Sequence, residues 1–71
     1  MNIYFDEYKK AIEYAFILTK IDKGLIMFHG YYYTEIGQAP CLIIEDENLN
    51  IVNRLFYDTY LYEIQPVQAR G

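Results

Sequence analysis

The sequence predicts an α+β domain in which one N-terminal amphipathic helix packs on a three- to four-stranded antiparallel sheet. The first reason is that apolar side chains recur every three or four positions over about residues 3–21, which is the spacing of one helix face. The second is that β-branched and aromatic runs separated by short turns begin at residue 25, a pattern typical of strands. A helix followed by consecutive strands favours the α+β class.

The predicted helix, about residues 3–21, has a wide apolar face that we expect to lie across the sheet. This face is marked by side chains that step by three or four positions, with Ala11 and Ala15 beside them: Phe5, Tyr8, Ile12, Phe16 and Thr19. Asp6 and Lys10 form an acid-first pair one helical turn apart, which stabilises a helix. Gly24 ends the helix, because glycine readily adopts the left-handed conformation that follows many last turns.

The rest of the chain predicts strands and a polar end. We expect strands over about residues 25–34, 41–46, 50–56 and 60–65, followed by a frayed tail over residues 66–71. Gly30 interrupts the first strand and indicates a bulge or a close approach of another backbone. Gly37 and Pro40 indicate a turn over residues 36–40. Residues 53–62 also fit a helical spacing moderately well, and we favour the strand.

Length and cysteine usage limit how this domain can be stabilised. The 71 residues suffice for a single domain, residues 1–71, whose core is small. A disulfide within one chain is excluded because Cys41 is the only cysteine, and Cys41 with His29 offers too few ligands for a structural zinc. A well-packed core or a second subunit would have to stabilise the fold instead.

Charge and hydropathy exclude several classes of partner. Ten acidic and six basic residues give a net charge of −4, which argues against direct binding of nucleic acid. No apolar run has the 18 or more residues of a membrane span, so we expect no membrane partner. The N-terminus lacks the basic region of a signal peptide, and the cysteine is unpaired, so we expect a cytoplasmic protein.

The residues that catalysis or metal binding requires are absent or single, so we expect no enzyme, cofactor or metal site. The chain contains no serine, and its one possible nucleophile pair is Cys41 with His29. Asp46 opens a D-x-N-x-N spacing that resembles the start of a calcium loop. The loop would then need glycine at the position of Ile51 and glutamate at the position of Tyr57. A hairpin turn is the better interpretation.

Consecutive tyrosines are the first candidate binding feature. Tyr31 and Tyr33 would share one side of a strand, with Tyr32 on the other. Tyrosine is enriched at protein interfaces, because a large flat apolar body carries a polar tip. These tyrosines could equally be ordinary core and surface aromatics. Further tyrosines could join the same surface: Tyr57, Tyr60 and Tyr62.

An acidic turn is the second candidate binding feature. Glu45, Asp46 and Glu47 form a compact negative tip between two predicted strands. Such a tip can imitate phosphate groups and steer association with a basic surface, although a solvated turn is the simpler interpretation.

In size and acidity, and in its Tyr31–Tyr33 and Glu45–Glu47 segments, the chain resembles small accessory proteins of phages and mobile elements, among them anti-CRISPR and related anti-defence proteins. The resemblance implies a non-catalytic inhibitor that occludes a surface of a host nucleic-acid-handling or defence protein. The partner would then be a protein, such as a nucleic-acid-binding enzyme.

Two other functions fit the sequence. The chain could be a homo-oligomeric interaction module, for example a homodimer that shares sheet edges or the tyrosine face. It could also sequester a nucleotide-like ligand between helix and sheet, with His29 or Glu63 as a polar anchor. Such a ligand would need basic residues from a short set: Lys20, Lys23, Arg54 and Arg70.

Overall fold

The computed structural model describes residues 1–35 and 37–57, which form one helix and four strands. In chain order the elements are β1 (Asn2–Tyr4), α1 (Tyr8–Ile21), β2 (Ile26–Thr34), β3 (Gly37–Glu45) and β4 (Ile51–Phe56). The helix packs against the sheet, which confirms the predicted α+β class. The predicted strand over residues 60–65 and the tail over residues 66–71 lie outside the described residues.

The sheet has the strand order β1-β4-β3-β2 and is mixed, whereas the sequence predicted antiparallel strands throughout. The two hairpin pairs, β2 with β3 and β3 with β4, are antiparallel. The difference is β1, which pairs parallel to β4 and places Ile3 beside Leu55. The N-terminal amine also donates to the Val52 carbonyl at 2.8 Å, and the Phe5 N–H donates to the Phe56 carbonyl at 2.7 Å. The N-terminus is therefore part of the sheet.

The helix begins at Tyr8, five positions later than predicted, because Ile3 and Tyr4 belong to β1 and Glu7 is the extended N-cap residue. Glu7 occupies the N-cap position in an extended conformation and makes no capping hydrogen bond with its side chain. The predicted pair of Asp6 and Lys10 is present, with a distance of 3.0 Å between carboxylate and ammonium. At the other end, the Gly24 N–H donates to the Asp22 carboxylate at 2.9 Å.

The buried face of α1 is centred on the two alanines beside the predicted face, and Phe5 and Ile12 pack against the same core. Its fully buried residues are Ala11 and Ala15, which pack with the sheet residues Leu42, Ile44 and Leu55. Alanine at the contact lets the helix axis approach the sheet closely, so larger neighbours are pushed to the rim. As a consequence Phe16, which the spacing assigned to the packed face, is 58% exposed.

The opposite side of the sheet carries a second buried cluster. Its members are Ala39, Cys41, Ile43 and Phe56, with Tyr32 packed against them. These side chains alternate along β3 with the helix-side residues, as the period-two geometry of a strand requires.

Position 30 of β2 pairs regularly with Cys41, so the predicted bulge at Gly30 is absent. A shift of register does occur in the pairing of β3 with β4, between Ile44 and Glu45.

The start of β3 differs from the predicted turn over residues 36–40. Strand pairing with β2 already begins at Gly37, and Pro40 lies opposite Tyr31. Proline is tolerated there because the recorded pairing of β3 with β4 begins only at Cys41. A residue without an N–H is therefore placed before the point at which β3 becomes a central strand.

Candidate protein-binding surface

Aromatic side chains form a row on the helix-facing side of the sheet, near the start of α1. The row, here called the aromatic surface, consists of Tyr8, His29, Tyr31, Tyr33 and Tyr57. The Tyr8 ring stacks on His29 with 6.0 Å between centroids and meets Tyr57 edge-on at 4.9 Å. Tyr31 and Tyr33 follow His29 at alternate positions of β2, so they extend the row on the same side.

The outer members of the aromatic surface are accessible to a partner. Tyr31 is 57% exposed and Tyr33 is 71% exposed, while Tyr8 retains 41% exposure beside them. Tyr57 is half-buried against the helix-side core, so it supports the Tyr8 ring and offers less accessible surface to a partner. A regular strand holds the exposed rings, and this limits the conformational entropy that binding would remove.

Tyr32 points to the opposite side of the sheet and has a packing role. Its ring meets Phe56 edge-on at 5.9 Å, and the Arg54 guanidinium lies 4.8 Å from the ring centroid. The tyrosine triplet is therefore divided between two surfaces. Tyr31 and Tyr33 belong to the aromatic surface on the helix side, and Tyr32 covers the second buried cluster.

The acidic segment is built differently from a simple negative tip. One oxygen of Asp46 accepts hydrogen bonds from the backbone N–H groups of Asn48 and Asn50, each at 2.9 Å. The hydrogen bond from Asn50 is the largest cause that lowers the pKa of Asp46 below its ordinary value of 3.8. Glu45 is half-buried at the end of β3, whereas Glu47 is exposed. Asp46 therefore holds the turn, and this leaves Glu47 as the exposed carboxylate of the segment.

The structure does not bring the acidic segment and the tyrosines together. Tyr33 pairs with Gln38 near one end of β3, and Glu45 ends the same strand. The seven residue steps between Gln38 and Glu45 correspond to about 23 Å at about 3.3 Å per residue. The two predicted binding features are thus separate surfaces. Tyr60 and Tyr62, also predicted to bind, lie outside the described residues.

Cys41 and His29 do not form a catalytic pair. Cys41 belongs to the cluster on the side of the sheet away from the helix, whereas His29 stacks on Tyr8 on the helix side. Burial raises the pKa of the Cys41 thiol to about 11, with the nearby charge of Arg54 acting in the opposite direction. Cys41 is therefore a protonated thiol at neutral pH and a poor nucleophile.

Neither the calcium-loop pattern nor a ligand pocket gains support from the geometry. Asp46 already accepts hydrogen bonds within its own turn, and residues 1–35 and 37–57 contain no group of three or more potential metal ligands. Apolar side chains of the helix-side core fill the contact between α1 and the sheet. Arg54, one of the proposed phosphate-binding residues, lies over Tyr32 on the other side of the sheet. Glu63 and Arg70 lie beyond the described part of the chain.

Tyr8 and His29 are the members of the aromatic surface that the sequence did not assign to a protein-binding surface. The spacing of Tyr8 from Ile12 assigned it to the packed helix face. With the helix predicted from about residue 3, no sequence signal placed Tyr8 at the first turn, where the structure has it.

No family model matches the sequence, and no curated protein or solved structure matches it. Within the described residues, no helix is both long and apolar enough to cross a membrane.

Proposed function

We propose that this chain is a non-catalytic protein-binding module that contacts its partner through the aromatic surface. The observation that carries the proposal is the exposure of Tyr31 and Tyr33, at 57% and 71%, on a regular strand. Tyrosines are frequent hot spots of protein interfaces, where each can contribute more than about 1 kcal/mol. The stack of Tyr8 on His29 continues the same surface and adds apolar area.

The composition of β2 favours a protein as the partner. The strand Ile26–Thr34 contains no aspartate, glutamate, lysine or arginine, so covering it with another protein would desolvate no full charge. A nucleic acid would instead require a basic surface. The tyrosine hydroxyl groups provide donors and acceptors, which give such an interface specificity as well as apolar area.

Occlusion of a basic surface on a nucleic-acid-handling or defence protein is the form of this function that we favour. The support is the net charge of −4 and the exposed Glu35, which follows β2 two residues after Tyr33. An acidic group beside exposed tyrosines suits a basic and partly apolar partner surface. The proposed inhibitor surface is therefore Tyr31, Tyr33 and Glu35, rather than the distant acidic turn.

Affinity capture from cells that carry this protein tests the proposal when it is combined with surface variants. We expect the wild type to retain a specific protein that the Tyr31→Ser/Tyr33→Ser variant does not retain. Ile21→Ser is the matched control, because Ile21 is 77% exposed on α1, outside the aromatic surface. Equal retention by the two variants would contradict the proposal. Retention that persists in about 1 M salt, where the Debye length is about 3 Å, would contradict recognition of a basic surface.

A further inference from the structure

The side of α1 that faces away from the sheet carries exposed apolar side chains. Phe16 is 58% exposed and Ile17 is 56% exposed. At about 100° of rotation per residue, both lie on the half of the helix opposite Ala11 and Ala15, which pack against the sheet. Neighbouring apolar side chains on the outer side of a helix offer area that a contact with another molecule can bury.

A carboxylate and an ammonium group flank these two side chains along the helix axis. Glu13 and Lys20 are both exposed and lie seven positions apart on α1, which corresponds to about 10 Å along the axis. Seven positions complete nearly two turns, so Glu13 and Lys20 project in almost the same direction. Phe16 and Ile17 lie between them, about 50° to either side of that direction. These four residues are here called the outer helix face: Glu13, Phe16, Ile17 and Lys20.

We infer that the outer helix face binds the outer helix face of a second copy of this chain, with the two helices antiparallel. A two-fold axis that passes between Phe16 and Ile17 places Phe16 of each copy beside Ile17 of the other. The same axis places Glu13 of each copy beside Lys20 of the other. The result is a homodimer with apolar side chains at the centre of the contact and an ion pair at each end. The contact lies on the side of α1 away from the sheet, so the dimer goes beyond the proposed function and does not depend on it.

The arrangement of charge favours a second copy over other occupants of this face. A strongly acidic or strongly basic surface, including an anionic lipid surface, would attract one of Glu13 and Lys20 and repel the other. A face that carries both signs along one line is complementary to itself when it is reversed. Parallel helices would place Glu13 beside Glu13 and Lys20 beside Lys20, and like charges repel. The antiparallel pair is therefore the arrangement that these two residues select.

Charges beyond the outer helix face are compatible with antiparallel helices. Lys10 of one copy lies near Lys23 of the other, but the Asp6 carboxylate already binds the Lys10 ammonium at 3.0 Å. Because the pair of Asp6 and Lys10 is neutral as a unit, its approach to Lys23 adds little repulsion. Antiparallel helices also place the positive end of each helix dipole near the negative end of the other.

Sedimentation equilibrium of the wild type and of Phe16→Ala/Ile17→Ala tests the contact. We expect the mass of the wild type to rise from one copy to two with concentration. The alanine variant keeps a good helix former at both positions and removes apolar area from both copies, so it should weaken dimerisation at least about tenfold. A wild type that is monomeric at every concentration would overturn the inference. Undiminished dimerisation of the alanine variant would also overturn it.

Leu49→Ala is the matched control for the loss of an exposed apolar side chain. Leu49 is 75% exposed in the turn between β3 and β4, away from α1. This variant should dimerise as the wild type does, and circular dichroism verifies that both alanine variants are folded. Equal weakening by Leu49→Ala would contradict a contact confined to the outer helix face.

Charge reversal tests the antiparallel register. Glu13→Lys and Lys20→Glu each place like charges side by side at both ends of the contact, so each should weaken dimerisation at least about twofold. The double variant Glu13→Lys/Lys20→Glu restores opposite charges and should dimerise as the wild type does. Single variants without effect would overturn the register, because parallel helices keep identical residues together. A double variant as weak as the single ones would overturn it as well.

Two further results would overturn the dimer by assigning the contact elsewhere. Dimerisation that Tyr31→Ser/Tyr33→Ser abolishes and Phe16→Ala/Ile17→Ala leaves intact would move the contact to the aromatic surface. A monomeric chain that co-sediments with phosphatidylglycerol vesicles, and loses this binding in Phe16→Ala/Ile17→Ala, would assign the outer helix face to a lipid surface.

Discussion

The side chain of Ile43 lies over the backbone of Gly30, so that a methyl group added at position 30 would overlap with Ile43 Cδ1. Gly30 and Ile43 are on neighbouring strands and on the side of the sheet away from the helix. This contact explains a glycine in the middle of a regular strand. The residue is needed for the space it leaves, and neither a turn nor a bulge is involved.

Gly30→Ala should therefore destabilise the protein by about 0.5–1.5 kcal/mol, because the end of the Ile43 side chain would have to leave its favoured rotamer. Ile43→Val removes the Cδ1 atom that a methyl group at position 30 would meet. The double variant Gly30→Ala/Ile43→Val should consequently lose less stability than the two single changes predict together. Urea unfolding followed by circular dichroism measures all three variants. Strict additivity of the two changes would show that the overlap has no energetic consequence.

Substitution of Leu49 should stabilise the hairpin turn between β3 and β4. Leu49 has a φ of 65°, a left-handed conformation that is unfavourable for a residue with a Cβ atom. Its side chain is 75% exposed, so little packing would be lost. Leu49→Gly and Leu49→Asn should each raise the free energy of unfolding by about 0.5–1 kcal/mol. Leu49→Ala keeps the Cβ atom and is the control, and an equal gain in that variant would contradict the explanation.

Asp46 should make the stability of the turn depend on pH. Hydrogen bonds from Asn50 and Asn48 hold the pKa of its carboxyl below the ordinary value. The stability that the Asp46 carboxylate contributes is therefore fully present above its unfolded pKa of about 3.9. It is lost as the pH falls through the lower pKa of the folded protein. Asp46→Asn keeps an acceptor oxygen and removes the titration. Between pH 5 and pH 2.5 the urea midpoint of this variant should fall less steeply than that of the wild type, and parallel curves would refute the role of Asp46.

The thiol of Cys41 should react slowly while the protein is folded. Its pKa of about 11 leaves little thiolate at pH 8, and its side chain is fully buried. Modification by a disulfide reagent should therefore be at least tenfold slower in the native protein than in guanidinium chloride. Because the folded pKa is raised, the contribution of Cys41 to stability is complete below the unfolded pKa and declines as the pH rises toward 11. Cys41→Ala should reduce that alkaline decline, and rapid modification of the folded wild type would contradict the burial.

The sequence predicted those elements whose apolar pattern is long enough to recognise. The apolar spacing of α1 extends over many residues, and β2 is a long run of residues that favour strands, so the class and order of these two elements were predictable. The three residues of β1 are too few to show alternation, and Phe5 continues the helical spacing. Only the position of β1 beside β4 distinguishes this strand from a first helical turn. Glycine and proline indicated a turn at residues 37–40, where pairing with β2 instead forms the first part of β3.

The candidate site was predictable in part, for similar reasons. Alternation along a strand places Tyr31 and Tyr33 on one side, and this requires no tertiary information. The inclusion of Tyr8 depends on where α1 crosses the sheet, which the alanines at positions 11 and 15 determine by their close contact. The separation of Glu45 from Tyr33 depends on the strand pairing, because both residues lie in one hairpin but at opposite ends of it.

Binding through the aromatic surface is most directly tested by calorimetric titration of the captured partner with the wild type and with Tyr31→Ser/Tyr33→Ser. Ile21→Ser serves as the control for general effects of removing an exposed apolar side chain. Loss of two interfacial tyrosines should weaken binding at least tenfold, because each hot-spot side chain contributes more than about 1 kcal/mol. An affinity that the double substitution leaves unchanged would contradict the assignment of this surface.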